Sequence, residues 1–172
     1  MSSSIENIVK ALGAKRFGDH NAQIDWILTD SRSLCFPEET LFFALKTKRN
    51  DGHKYIPELY ARGVRNFVVT DVPEQLSHYA DANFLQVGNT LKALQRLAAK
   101  HREQFQVPVV GITGSNGKTV VKEWIYQLLS PEKVITRSPR SYNSQIGVPL
   151  SVWMMNEHTE LGIFEAGISE MG

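Results

Sequence analysis

A single cysteine, Cys35, stands in a chain of 172 residues. Neither a disulfide within the chain nor a cysteine-rich metal site can be built from it, and a reducing compartment fits best. The lone thiol reads as a small buried hydrophobe, because nothing near it in sequence supplies an activating base. Long apolar runs are missing too. No stretch of about 18 apolar residues occurs, and residues 1–13 lack a basic segment followed by an apolar core, so neither a membrane span nor a signal peptide is expected and the chain reads as cytoplasmic. Charge of one sign is not in excess: 19 Lys and Arg against 18 Asp and Glu leave a formal +1. That balance gives no electrostatic reason to invoke nucleic acid or an anionic membrane, so an anionic ligand must be held by a local site. Internal repeats are absent, as is the Asn-Lys-x-Asp motif by which GTPase-like switches read their base.

The composition that remains, 42% hydrophobic and 22% charged, is that of a soluble globular protein. The length suits one full domain and part of another. Ser4 is placed to cap a helix whose apolar positions Ile5, Ile8, Val9 and Leu12 recur at helical spacing up to Gly13, after which the chain reads as irregular. Residues 24–29 and 40–45 read as strands, with a loop between them. A helix over 55–62 stopped by Gly63, a strand over 66–70, a strand over 84–87 and a long helix from about Thr90 follow. Strands alternating with helices predict an α/β domain over 1–106. Pro108 then restarts the chain into Val109-Val110-Gly111-Ile112, a run suited to a buried parallel strand, and opens a second domain over 107–172. Within it a helix over 119–129, a strand over 134–136, a polar loop through Ser144 and a strand over 161–164 are predicted.

The run Gly111-Ile-Thr-Gly-Ser-Asn-Gly-Lys-Thr119 falls between a predicted strand and a predicted helix, the context that gives a glycine pattern a mechanism. Gly114 and Gly117 let the backbone bend so that its N–H groups, together with Thr113, Ser115 and Asn116, face phosphate oxygens. Lys118 supplies positive charge for the outer phosphates, the helix N-terminus adds its partial charge, and the Thr119 hydroxyl is placed to ligate Mg²⁺. The strict P-loop spelling has glycine where Ile112 stands. A glycine-rich turn with an exposed lysine is the plainer reading, and the strand-loop-helix context favours nucleotide binding over it.

Three further patterns surround this loop. They are Thr29-Asp30-Ser31-Arg32 followed by 41–46 and Asp51-Gly52-His53; Tyr142-Asn143-Ser144-Gln145-Ile146-Gly147-Val148-Pro149-Leu150; and Glu165-Ala166-Gly167-Ile168-Ser169. Their order and spacing around Thr-Gly-Ser-Asn-Gly-Lys-Thr resemble the Mur ligases of peptidoglycan synthesis, over nearly the whole chain and most strongly from Val109 onward. The helix beginning Val121-Lys122-Glu123 looks most like the member that adds D-alanyl-D-alanine to UDP-N-acetylmuramoyl-tripeptide. The details of 140–145 and 165–169 look like the version fused to alanine racemase. Ser144 and Gln145 depart from the family pattern, which has a second asparagine and an acidic residue there.

The resemblance implies a small N-terminal α/β domain that binds the UDP end of the precursor, with Ser31, Arg32, Lys46, Asp51 and His53 as contacts, followed by the start of a P-loop parallel-sheet ATPase domain. It implies ATP and Mg²⁺, with residues 113–119 and Asn143 at the ATP phosphates, Lys118 as the catalytic cation, and Thr119 and Glu165 at the metal. Hydroxyl and guanidinium donors suit pyrophosphate oxygens. Asp30-Ser31-Arg32 also reads as an Asx turn with a locally paired arginine, and Glu165 as a rim salt bridge. The remainder of the ATPase domain and a C-terminal domain are expected beyond these residues, leaving the chain an N-terminal fragment inactive alone. An exposed sheet edge is a possible route to self-association. Another Mur-type ligase, a folate polyglutamate ligase and a non-catalytic nucleotide- or UDP-sugar-binding module stay open as alternatives.

Overall fold

The computed structural model describes residues 3–47 and 50–167. Ile168 and Ser169, part of the last motif, lie outside the described residues. The chain divides into two units, residues 1–96 and 97–172, with the division inside one helix. Among the described residues no helix is long and apolar enough to cross a membrane.

The first unit opens with β1 (Ser3–Ser4) and α1 (Ile5–Leu12). The Ser4 side chain accepts from the Asn7 amide, and Gly13 closes the helix at φ 60° with its N–H on the Lys10 carbonyl. β2 (Lys15–Phe17), β3 (Gln23–Ile24), β4 (Trp26–Leu28), β5 (Thr40–Phe43), α2 (Ile56–Ala61), β6 (Asn66–Val69) and β7 (Asn83–Gln86) follow, then α3 (Thr90–Arg102), which carries the chain into the second unit. A five-stranded sheet runs in the order β2-β7-β6-β5-β4, parallel except for β2. β5 and β6 are buried along their whole length, as parallel strands covered on both faces must be. One face builds a core from Leu28, Phe42, Ala44, Ile56, Leu59, Phe67, Val69 and Phe84. Alternation turns Leu41, Phe43, Val68 and Leu85 to the other face, where they too are buried.

Residues 24–29 are not the one strand that their apolar run predicts. β3 pairs antiparallel with β1 and β4 pairs parallel with β5, in different sheets. The amides of Asp25 and Trp26 both donate to the Glu39 carbonyl, at 3.0 and 3.1 Å, and this anchors the chain where it passes from one to the other. β2 lies in chain that reads as irregular; three residues hold too little pattern to show, and pairing with β7 is what orders them. Cys35 is exposed rather than buried, its thiol 3.6 Å from the Ser33 carbonyl. The loop that carries it runs over the surface instead of contributing to the core.

In the second unit, β8 (Val109–Ile112), α4 (Lys118–Leu129), β9 (Ile135–Arg137), α5 (Gly147–Trp153) and β10 (Leu161–Glu165) form a parallel sheet in the order β8-β10-β9. α4 and α5 pack on it. β10 is central and buried throughout. β8 is parallel as expected, yet Val109, Val110 and Gly111 are exposed, because this strand has a partner on one side only among the described residues. α5 is a helix that the sequence reading lacks. Its seven residues open with Gly147 and carry Pro149 in the first turn, where proline is tolerated, and this masks the helical pattern. Ser144 anchors its start, its hydroxyl accepting from the Gly147 amide at 3.0 Å.

Candidate nucleotide-phosphate and metal site

Parallel pairing decides where the site forms. β8, β10 and β9 run the same way, so their carboxyl ends share one edge, the place where α/β sheets bind ligands. β8 ends in the loop 113–117, β9 runs into Ser138 and the segment that holds Asn143, and β10 ends on Glu165. The three sequence motifs therefore meet through the sheet rather than through chain proximity.

Gly114 and Gly117 take φ of 140° and 78°. A Cβ would find nothing nearer than 3.9 Å at Gly114 and nothing within 4 Å at Gly117. Backbone conformation, not crowding, requires glycine here, and the space beside the loop is open. Gly117 is also the N-cap of α4 and offers no side chain to the helix amides. The ladder starts with the Val121 N–H on the Gly117 carbonyl at 2.9 Å, so the amides before it lie outside the helical bonding. Such a helix start attracts anions. The Lys118 Nζ folds back over the loop and donates to the Gly114 carbonyl at 2.6 Å.

Thr119 follows on the side that faces the strand ends. Its hydroxyl donates to Glu165 Oε2 at 3.1 Å and lies 3.4 Å from Ser141 Oγ. Glu165 is fully buried, which replaces the rim salt bridge of the plainer reading. Its amide donates to Ser138 Oγ at 3.1 Å. Its Oε1 lies 2.9 Å from the ammonium of Lys122, also fully buried, although the pair is not aligned as a hydrogen bond. Lys122 donates to the Ser138 carbonyl at 2.8 Å and to the Arg140 carbonyl. Breaking such a buried pair by removing one partner costs about 3–5 kcal/mol, because the other charge is left uncompensated. Lys122 is absent from the residues expected at this site. Its signal was available, since it stands one helical turn after Lys118 and shares its face.

Asn143 reaches the same edge by backbone. Its carbonyl accepts from the Gly167 amide at 2.7 Å, and a Cβ on Gly167 would meet that oxygen at 2.7 Å. The glycine of Glu165-Ala166-Gly167 is thus demanded by close approach to Asn143. No group of three or more His, Cys, Asp or Glu able to hold a metal ion exists among the described residues. A hydroxyl and one carboxylate oxygen are a hard donor pair that fits Mg²⁺ shared with phosphate oxygens and water, and does not fit an all-protein cage.

The residues expected at the UDP end lie in the first unit, at the carboxyl ends of β4, β5 and β6. Asp30 accepts from the Arg32 amide at 3.1 Å and from its guanidinium at 2.9 and 2.6 Å. The side-chain bond from Arg32, followed by its amide, holds the Asp30 carboxyl below its usual range. The locally paired turn is therefore present, and the Arg32 side chain is exposed. Ser31 is buried, its carbonyl accepting from Arg62 at 2.9 Å. Lys46 forms an isolated bridge with Asp51, and its ammonium lies 3.6 Å from the Asp51 carboxylate and 3.9 Å from that of Asp71. Gly52 packs so tightly that a Cβ would meet the backbone of Ala44 and Leu45 at 2.8–2.9 Å. His53 Nδ1 is 2.6 Å from Asp51 Oδ1, and its Nε2 accepts from the Thr70 amide at 3.1 Å. With Nε2 accepting, Nδ1 is the ring nitrogen that donates to Asp51.

Two family models match in tandem: the catalytic domain of the Mur ligase family over residues 23–102 and the Mur ligase middle domain over 112–172. The chain is 36% identical over 151 residues, 87% of its length, to the UDP-N-acetylmuramoyl-tripeptide--D-alanyl-D-alanine ligase of Bacillus subtilis, and 37% identical over 150 residues to that of Synechocystis. It spans about a third of their length, 32% in each case. Among solved structures, the corresponding ligase of Acinetobacter baumannii superposes on all of this chain with a TM-score of 0.89 at 28% identity, using 38% of its own length. A MurF ligase of Thermotoga maritima in complex with ADP superposes on 85% with a TM-score of 0.72 at 29% identity, using 33% of its own. A glycine loop, a threonine and a buried carboxylate brought to one sheet edge, in a chain matched along both units by these relatives, have one source: the chain belongs to the Mur ligase family.

Proposed function

We propose that this chain is the N-terminal part of an ATP-dependent ligase that joins D-alanyl-D-alanine to UDP-N-acetylmuramoyl-tripeptide in peptidoglycan precursor synthesis, in the cytoplasm. Residues 1–106 serve as the UDP-precursor-binding domain and 107–172 as the opening of the ATP-binding domain. The relatives named above carry this activity in their names. The observation that carries the reading is the contact of Thr119 with buried Glu165 at the mouth of the glycine loop.

In this reading the terminal carboxylate of the tripeptide takes the γ-phosphoryl group of ATP, whose bond to the β-phosphate breaks so that ADP leaves. The resulting acyl phosphate is attacked at its carbonyl carbon by the amine of D-alanyl-D-alanine; the amide bond forms, phosphate leaves, and the amine gives up its proton. Positioning and charge neutralisation dominate such chemistry. The loop amides and Lys118 hold the phosphates, and the Lys118 ammonium must exchange the Gly114 carbonyl for a phosphate oxygen. Thr119 and Glu165 would hold Mg²⁺, which would supply neutralisation of phosphate charge there. Asn143 borders the same edge. In the first unit, exposed Arg32 and Lys46 offer cations to the pyrophosphate. Ser31, Asp51 and His53 shape that end, His53 by tying the loop after β5 to the end of β6.

The test is a panel of UDP-muramoyl peptides and folates offered with ATP to the full-length protein, scored by product mass. Addition of D-alanyl-D-alanine to the tripeptide is expected; extension of a folate, or no ATP-dependent product from any member, overturns the assignment.

A further inference from the structure

Lys122 has no part in the chemistry just described, yet it is the most constrained charge in the second unit. Its ammonium is fully buried and fixed by backbone: the Ser138 carbonyl at 2.8 Å and the Arg140 carbonyl take two of its protons. Both acceptors belong to the segment leaving β9, and Arg140 is the one described non-glycine residue at positive φ, 50°. The ammonium therefore has a location that does not depend on Glu165. Glu165 is the dependent member, with Oε1 2.9 Å from this fixed charge and Oε2 accepting from Thr119 at 3.1 Å. The other nearby carboxylate, Glu123 at 3.3 Å, is partly exposed and engaged by Arg137.

We infer that Lys122 is a positioning residue for the metal site: it holds Glu165 by Oε1 so that Oε2 stays turned to Thr119, and it fixes the turn that presents Ser141 and Asn143. This rests on the function proposed above. Buried beneath the loop, Lys122 does not itself meet substrate. A carboxylate without this anchor has two equivalent oxygens and a side chain free to rotate away from Thr119. With the anchor one orientation is selected before any cation arrives, the arrangement by which outer residues tune a metal ligand.

The test uses the full-length protein and a non-hydrolysable ATP analogue, with binding followed by calorimetry as Mg²⁺ is varied. Four proteins are compared: wild type, Lys122→Met, Glu165→Gln and the double variant. Lys122→Met is expected to raise the Mg²⁺ concentration required by about tenfold or more, the usual effect of losing an outer-shell partner. In the Glu165→Gln background the same change is expected to have no further effect. An equal shift in both backgrounds, or none in either, overturns the inference, since a general structural role does not depend on Glu165. If Lys122→Met shows no cooperative unfolding transition, Lys122→Arg takes its place. It keeps the charge and moves it, and the same dependence on background is required of it. Wild-type protein that binds no Mg²⁺-nucleotide overturns this inference together with the ligase reading; normal wild-type binding with additive variants overturns the role of Lys122 alone.

Discussion

Thr119 and Glu165, separated by 46 positions in sequence, meet through a hydrogen bond of 3.1 Å at the carboxyl edge of the β8-β10-β9 sheet. The carboxylate is shared with Lys122 on its other oxygen. Each partner's removal therefore has a different signature.

Glu165→Gln keeps shape and removes charge, leaving the buried Lys122 ammonium with its two carbonyl partners and the partly exposed Glu123 carboxylate at 3.3 Å. Because Ser138 and Arg140 still accept from it, destabilisation should fall near the low end of the range for broken buried pairs, about 3 kcal/mol. Urea unfolding reads this directly. A variant as stable as wild type would show that the pair contributes nothing.

Lys118→Ala should separate fold from function in the opposite way. Its ammonium donates to an exposed loop carbonyl, that of Gly114, so the unfolding midpoint should barely move while ATP-dependent ligation by the full-length protein is lost. Turnover near wild type would remove Lys118 from the mechanism.

The two loop glycines should differ in tolerance. At Gly117, φ of 78° lies near the left-handed well and no atom blocks a Cβ, so Gly117→Ala should cost about 1–2 kcal/mol. At Gly114, φ of 140° lies far from that well, and the same change should cost more. Equal midpoints for the two variants in denaturant titration would contradict a conformational origin.

His53→Ala leaves the half-buried Thr70 amide without its acceptor and Asp51 without the ring. A loss of about 1–3 kcal/mol follows from the unsatisfied donor. It should appear with or without UDP present, which distinguishes a brace from a ligand contact.

Burial pushes the His101 imidazole below its ordinary range, against the opposing hydrogen bond to the Met155 carbonyl, which lies 2.9 Å from Nε2. With the folded pKa depressed, the unfolded chain takes up a proton first as pH falls. The contribution of His101 is therefore fully present above about pH 6.5, the unfolded value, and is lost below it until the folded ring protonates too. Thermal unfolding between pH 5 and 8 should show this slope in wild type and a shallower one in His101→Gln.

Local features were legible in the residues. Ser4 and Gly13 bracket α1 because a cap and a left-handed glycine act within one turn of the chain, and the glycine loop between β8 and α4 is a pattern of neighbours. Glu165 was legible as a strand-end carboxylate, and Arg32 as locally paired. The exposure of Cys35 was not legible, because it depends on what else covers a loop, nor was the break within 24–29, because one apolar run can feed two sheets.

The sequence alone determined the ends of α1, the turn glycines and the pattern of the glycine loop, since those depend on dihedral preferences and on groups a few bonds apart. Tertiary structure decided which strands neighbour one another, and so which strand ends share an edge. Only through the position of β10 between β8 and β9 does Glu165 come to lie against Thr119 and Lys122, and only burial there turns an ordinary helix lysine into the fixed charge beneath the site.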